Sequence, residues 1–332
     1  MATPIPPKGV FVPSPTFFLP LSSSSSSPTP YQPTVDVPTQ VAHSVFLARA
    51  GITGIVLLGS TGEAIHLSSS ERIDLVSSVR KGLDDAGFPE YPLMAGVLTS
   101  GGIEETLQWL REYADAGAQW GLVLAPGYFG AGVGQEGLRE WYEAVADRSP
   151  IPILVYNYPG VTNGVVVLPE TYTVLARHEK IVGCKMSHGN VSHHVQVSLD
   201  PEIDHEQFRV YSGFGQQLGP IVQFGAAGVI DGLAAFFPRT VVRLFSLVEA
   251  GSQDTESKKE ALRLQYVVSR AEEFIVRYGI LGIREGVYRA AGFGNQEGGR
   301  LPLRGRLTEA DWEKGSKLFL KAIEATEAKL KG

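Results

Sequence analysis

Apolar residues in this chain fall into short continuous runs. They read GIVLLG at 54–59, LMAGVL at 93–98, GLVLAP at 121–126, PILVYN at 152–157, IVGCKM at 181–186, FRVYSG at 208–213 and GVIDGL at 228–233. A strand with one wet face would alternate apolar with polar residues. Runs that stay apolar for about six residues predict strands of a parallel sheet covered on both faces. An earlier stretch, GVFVPSPTFF at 9–18, is β-branched and aromatic and adds a first strand.

Between the runs the period lengthens to that of a helix. IEETLQWLREYADAG places Ile103, Leu107, Leu110 and Ala114 on one face and stops at Gly117. LSSSERIDLVSSVRKGL opens on a Ser–x–x–Glu start, with Ile73, Val76 and Val79 as its apolar face. Eight strand–helix units are predicted, ending near residue 250. Three helical stretches without strands follow at roughly 255–279, 281–291 and 308–330. The expected fold is an α/β (β/α)8 TIM barrel with a C-terminal helical extension. A doubly wound open sheet is the rival, but even spacing and the lack of a reversal signal favour the barrel. The expected organisation is a catalytic barrel over 1–250 and an extension over 251–332. LSSSSSSPTPYQPT is too polar and proline-rich to pack, so a Ser/Pro-rich surface loop is expected near 20–35.

Composition narrows the function classes. The chain has 332 residues, 43% of them hydrophobic, and a formal net charge of −6. It has no basic footprint for nucleic acid or for an anionic membrane. No apolar run reaches the roughly 18 residues of a membrane helix. The single cysteine, Cys184, has no partner for an internal disulfide, and the first arginine is Arg49. A cytoplasmic protein without signal or transit peptide is expected.

In a barrel, chemistry gathers where strands end. Those ends carry Ser60 and Thr61 in GSTGEA, Tyr128 in PGYF, Tyr156 in YNYPG, and Lys185 with Ser187 and His188. Ser212 with Gly213, and Ile230 with Asp231, complete the ring. Lys185 stands out, because it closes an apolar run. It either begins a loop and snorkels to water or is buried and loses its proton readily. A desolvated lysine forms Schiff bases with carbonyl substrates, and a nearby phenol can move the protons. A glycine-flanked Ser–Thr pair offers N–H and hydroxyl groups to a carboxylate, such as that of a 2-oxo acid.

GSTGEA at 59–64, YNYPG at 156–160 and GCKMSHGN at 183–190 closely resemble the dihydrodipicolinate synthase/N-acetylneuraminate lyase family of class I aldolases. The resemblance runs in order along nearly the whole chain. It implies that Lys185 forms the Schiff base with pyruvate and that Tyr156 transfers protons. It further implies that Ser60 and Thr61 bind the pyruvate carboxylate and join the relay, and that Ile230 lines the pyruvate pocket. Tyr128 matches a relay tyrosine that comes in many members from a neighbouring subunit, so a homotetramer, a dimer of dimers, is expected. A small-molecule 2-oxo acid is the expected partner, with no cofactor and no metal.

One position departs from the pattern. Dihydrodipicolinate synthases carry an arginine two residues after the proline, where PGVTNG has Val161. Loss of that guanidinium fork disfavours aspartate semialdehyde. The branch expected is therefore an aldolase that cleaves a 2-oxo-3-deoxy sugar acid, such as 2-keto-3-deoxy-galactonate, or 4-hydroxy-2-oxoglutarate. Dihydrodipicolinate synthesis ranks third. Thr162, Asn163, Ser187, His188 and Ser212 are candidates to meet substrate hydroxyls, on loops that are charge-free unless His188 is protonated. Three rivals weigh less. A metal-dependent aldolase would draw on His188, His193, His194, Asp200, Asp204 and His205, a polar stretch read more simply as solvated surface. Gly132, Gly134 and Gly137 have G-x-G-x-x-G spacing but no acidic residue on a following strand. A non-catalytic binding or regulatory barrel would not need lysine, tyrosine and hydroxyl turn together.

Overall fold

The computed structural model describes residues 3–20, 32–251, 254–297 and 299–331. Most of the Ser/Pro-rich loop expected near 20–35, residues 21–31, lies outside the described residues.

The eight apolar runs form β1 (Gly9–Pro13), β2 (Gly54–Leu57), β3 (Leu93–Val97), β4 (Trp120–Leu124), β5 (Ile153–Asn157), β6 (Ile181–Met186), β7 (Arg209–Ser212) and β8 (Gly228–Ile230). Each pairs in parallel with the next, and β8 pairs with β1, closing the barrel and excluding the open sheet. Every residue of β1, β2, β3, β5, β6 and β8 is buried, as the unbroken hydrophobicity requires. At the closing seam Gly228 has φ +148, and a side chain there would collide with the Gly9 carbonyl oxygen at 1.9 Å. Only glycine permits that approach.

Helices α1 (Val37–Arg49), α2 (Ser69–Asp85), α3 (Ile103–Asp115), α4 (Gln135–Arg148), α5 (Pro169–Leu175), α6 (Val191–Leu199), α7 (Leu218–Gln223) and α8 (Pro238–Glu249) cover the outside. Ser68 caps α2 with Glu71 in a reciprocal capping box, as the Ser–x–x–Glu start predicts. The face of α2 is rotated from the expected one. Leu75, Val76, Val79 and Leu83 are buried, whereas Ile73 is 36% exposed. The displaced position is taken by Arg72, whose guanidinium stacks 3.7 Å from the Trp109 ring centroid on α3. A long arginine stem covers apolar surface as well as isoleucine does and still donates to the Leu67 carbonyl.

Several strands end earlier than their apolar runs, β2 and β8 among them. β2 stops at Leu57 because Leu58 adopts left-handed backbone at φ 59, and β8 stops before Asp231. Beyond the barrel, α9 (Thr255–Gly286) breaks at Gly279, with φ 58 and ψ −142. This is the expected division near residue 280. The last stretch is helical from Glu309 to Leu330, with one wider turn at Ser316–Leu320. The first part of α9 packs on α8 and across the turns that follow β7 and β8, so the tail reaches the mouth of the barrel.

Candidate active site

Lys185 is the fifth residue of β6 and is 5% exposed, so it does not snorkel. It pairs in register with Tyr156 on β5 and Tyr211 on β7. Its neighbour Cys184 points the other way, toward Tyr142 of α4 and Tyr172 of α5, and burial pushes that thiol up. Lys185 thus faces the barrel interior. Burial lowers its pKa to about 7, against the opposing charge of Asp231. An amine so poised is uncharged for a large part of the time near neutrality.

Tyr156 supplies the surface above the amine. Lys185 Nζ lies 4.6 Å from the Tyr156 ring centroid, and the Tyr156 hydroxyl is 3.2 Å from Ser60 Oγ. Burial raises the phenol to about 12, although the hydroxyls of Ser60 and Ser187 oppose the rise. The phenol is therefore protonated at rest and can give a proton to a departing hydroxyl.

Ser60 and Thr61 lie in the turn after β2, half-buried. The turn is held from below. Glu63, at φ 52, is buried and receives Arg284 from α9 and His66 from the turn itself. Arg284 also donates to the Leu303 carbonyl at 2.8 Å. The tail therefore clamps the hydroxyl turn.

A cavity of about 400 Å³ opens beside Ser60. Tyr128, Thr162 and Asn163 also line it, with Thr99, Ser100 and an apolar wall that includes Leu98, Leu124 and Val161. Tyr128 is 74% and Phe129 79% exposed, edge-on to one another at the rim. The other candidates divide. Ile230 is buried at the end of β8, and Ser187 is buried near the Tyr156 hydroxyl. Thr162 donates to the Tyr158 carbonyl, and Asn163 donates to the carbonyls of Gly127 and Tyr128. Ser212 is committed internally, donating to Gln217 Oε1 at 2.5 Å and accepting from the Phe214 N–H. His188 is pushed down to about 4 by burial and by His194 and His193, so it adds no positive charge at neutral pH.

The histidines of the rival metal reading pack ring against ring, His188 lying 5.0 Å from His194 and 5.7 Å from His193. Among the described residues, no group of three His, Cys, Asp or Glu side chains is placed to hold a metal ion. Nor is any helix among them long and apolar enough to cross a membrane.

Two groups escape the sequence reading. Asp231 was visible at the end of its strand but carried no assigned role, and Glu272 on α9 went unnoticed. Glu272 follows Val268 by four residues and precedes Ile275 by three, so it sits on an apolar stripe. That misplaced carboxylate was the available signal.

Comparisons with known proteins give the family. The model of the dihydrodipicolinate synthetase family matches residues 22–311. An L-threo-3-deoxy-hexylosonate aldolase of Hypocrea jecorina is 34% identical over 93% of this chain and 94% of its own. A relative from Emericella nidulans, named 4-hydroxy-2-oxoglutarate aldolase, mitochondrial, is 32% identical over 87% of each. In three dimensions the chain is similar to a dihydrodipicolinate synthase family protein from Coccidioides immitis. The TM-score is 0.80 at 27% identity, covering 99% of this chain and all of the other. With its closed barrel, buried strand-end lysine and matching motifs, the chain belongs to the dihydrodipicolinate synthetase family.

Proposed function

We propose that the protein is a Schiff-base aldolase that cleaves a 2-oxo-3-deoxy sugar acid to pyruvate and an aldehyde. The observation that carries this reading is Lys185, buried under the Tyr156 ring with its pKa lowered to about 7. The aldolase names of the two relatives support it. The barrel and the tail act as one catalytic unit, because Arg284 of the tail holds the turn that bears Ser60 and Thr61. The cytoplasmic placement stays part of the proposal.

The uncharged Lys185 amine attacks C2 of the oxo acid, whose carboxylate is taken by the Ser60–Thr61 turn. Tyr156 gives its proton to the carbinolamine hydroxyl, which leaves as water and forms the imine. The resulting phenolate accepts the proton of the C4 hydroxyl as the C3–C4 bond breaks, and the electron pair passes into the iminium to give the enamine. The aldehyde departs, the enamine takes a proton at C3, and water releases pyruvate and the free lysine.

The cavity ranks the substrates. No lysine or arginine is among its lining residues, and the position of the missing arginine is Val161. The aldehyde half of 4-hydroxy-2-oxoglutarate, like aspartate semialdehyde, brings a second carboxylate that finds no lysine or arginine there, only His66 already paired with Glu63. The aldehyde half of a deoxy sugar acid brings only hydroxyls, which Thr99, Ser100 and Asn163 suit.

Incubation with pyruvate and borohydride should attach one three-carbon unit to Lys185, with a rate that rises through pH 7. An unlabelled protein, or an active Lys185→Ala variant, would sink the reading. A panel of oxo acids, followed by pyruvate release, should show cleavage of deoxy sugar acids above 4-hydroxy-2-oxoglutarate. Exclusive condensation with aspartate semialdehyde would reverse the ranking.

A further inference from the structure

Asp231 and Glu272 take no part in the steps above, yet Asp231 faces the amine and Glu272 meets Asp231. Asp231 follows β8, Glu272 lies on α9, and both are buried. Buried carboxyl groups need partners. Asp231 Oδ1 accepts from the Leu233 N–H at 3.1 Å. Among the described residues neither Asp231 Oδ2 nor Glu272 Oε1 has a hydrogen-bond donor; the two side chains face each other, and the Gly215 backbone N–H favours the Glu272 carboxylate. They converge on one backbone atom, since a methyl on Gly215 would sit 3.0 Å from the first and 2.5 Å from the second. Gly215 lacks a side chain where the two carboxyls need room to meet.

Two carboxylates brought together in a buried site cannot both ionise. The pair therefore holds one proton and one negative charge. Burial raises both groups, Glu272 well above the ordinary range, and the Glu272 contact pulls Asp231 back down. Glu272, raised further by burial and by Asp231, is the group better suited to carry that proton. Lys185 of β6 is the cation that this charge meets. The other groups facing the cluster do not replace it. Tyr156 of β5 is neutral, Tyr211 of β7 donates its hydroxyl to the Pro7 carbonyl, and Glu273 of α9 adds negative charge.

We propose that Asp231 and Glu272 form a one-proton carboxyl pair whose single negative charge is the counter-ion of Lys185, with Asp231 as a positioning residue and Glu272 as its proton-bearing support. The inference rests on Lys185 being the imine-forming residue. It explains why the second carboxyl carries a proton. Two full charges would hold Lys185 as ammonium, and none would leave it buried without a counter-ion. One shared proton keeps the amine between those limits, and the helical tail supplies the group that bears it.

The test is the pH dependence of borohydride trapping with pyruvate in the full-length protein. In Asp231→Asn the midpoint should fall by about one pH unit, so that trapping at pH 6 becomes about fivefold faster than in the unaltered protein. Glu272→Leu removes the donor, favours protonation of Asp231 and should move the midpoint in the same direction. Glu272→Gln keeps a donor and should move it less. Folded Asp231→Asn and Glu272→Leu proteins with an unmoved midpoint overturn the proposal and make the pair mere packing. If Asp231→Asn does not fold, the contrast between Glu272→Leu and Glu272→Gln decides, and equal midpoints overturn it. Failure of the unaltered protein to trap pyruvate at any pH would instead overturn the aldolase reading on which the inference stands.

Discussion

Two loops meet over the same cavity and are held in opposite ways. The turn after β2 carries Ser60 and Thr61, and its Glu63 is buried against Arg284 and His66. The loop after β4 carries Tyr128 and Phe129, which project into solvent, and the carboxamide of Asn163 holds the backbone behind them. The first loop is complete within one chain. The second presents two aromatic rings that none of the described residues covers. Hydroxyls that fix a carboxylate must not move, whereas a rim residue gains its position from whatever packs on it. Burial of Glu63 and exposure of Tyr128 thus mark a difference in who supplies the order.

The comparison breaks most visibly at Glu63. Glu63→Gln takes the charge from a buried ion pair, and losing one partner of such a pair costs about 3–5 kcal/mol. The low end applies, because Arg284 keeps the Leu303 carbonyl. Urea denaturation should show a loss of about 3 kcal/mol, and KM for the oxo acid should rise as the Ser60–Thr61 turn loosens. A variant of unchanged stability would mean that the turn is held by its backbone alone.

A smaller effect is expected at Asn163. This residue has φ 50 and donates to the carbonyls of Gly127 and Tyr128 at 3.0 and 3.3 Å. Asn163→Ala loses both bonds and strains the left-handed backbone, for a loss of about 1 kcal/mol. Asn163→Gly loses the bonds but relieves the strain, so it should be the milder change. If the two variants lose the same stability in that denaturation assay, left-handed strain adds nothing in alanine and the lost hydrogen bonds account for both.

The same contrast explains what was legible in the sequence. Lys185 was visible because a charge at the end of an apolar run is anomalous within six residues of text, and Ser60 and Thr61 because glycines frame them. The barrel was visible because strands buried on both faces must be apolar throughout. The rotation of the α2 face was not, because Arg72 reads as a polar residue until its stem is seen against Trp109. Glu63 with Arg284, and Asp231 with Glu272, were hidden for another reason. Each joins a strand end to the tail across a long separation, and nothing local to Arg284 or Glu272 says which strand end it will meet. Ser212 errs in the opposite sense, since its place suggests an open hydroxyl while Gln217, five residues on, has already taken it.

The smallest effect on stability belongs to Tyr128, and it sharpens the comparison most. Its ring is 74% exposed and, among the described residues, its one ring contact is with Phe129. Tyr128→Ala should therefore change folding stability by no more than about 0.5 kcal/mol. Its effect should appear in turnover if the ring completes the site of a neighbouring subunit. Subunit mixing tests that directly. Lys185→Ala oligomers lack the amine, and Tyr128→Ala oligomers lack the rim phenol. In a mixed oligomer, a site built on the Tyr128→Ala chain keeps Lys185 and receives Tyr128 from the Lys185→Ala partner. Activity should then rise above that of either parent after the two are dissociated and reassembled together. Mixed oligomers confirmed by mass that recover nothing would show that Tyr128 serves the barrel that carries it. In that case its exposure would close by folding inward over its own cavity rather than by meeting a second copy.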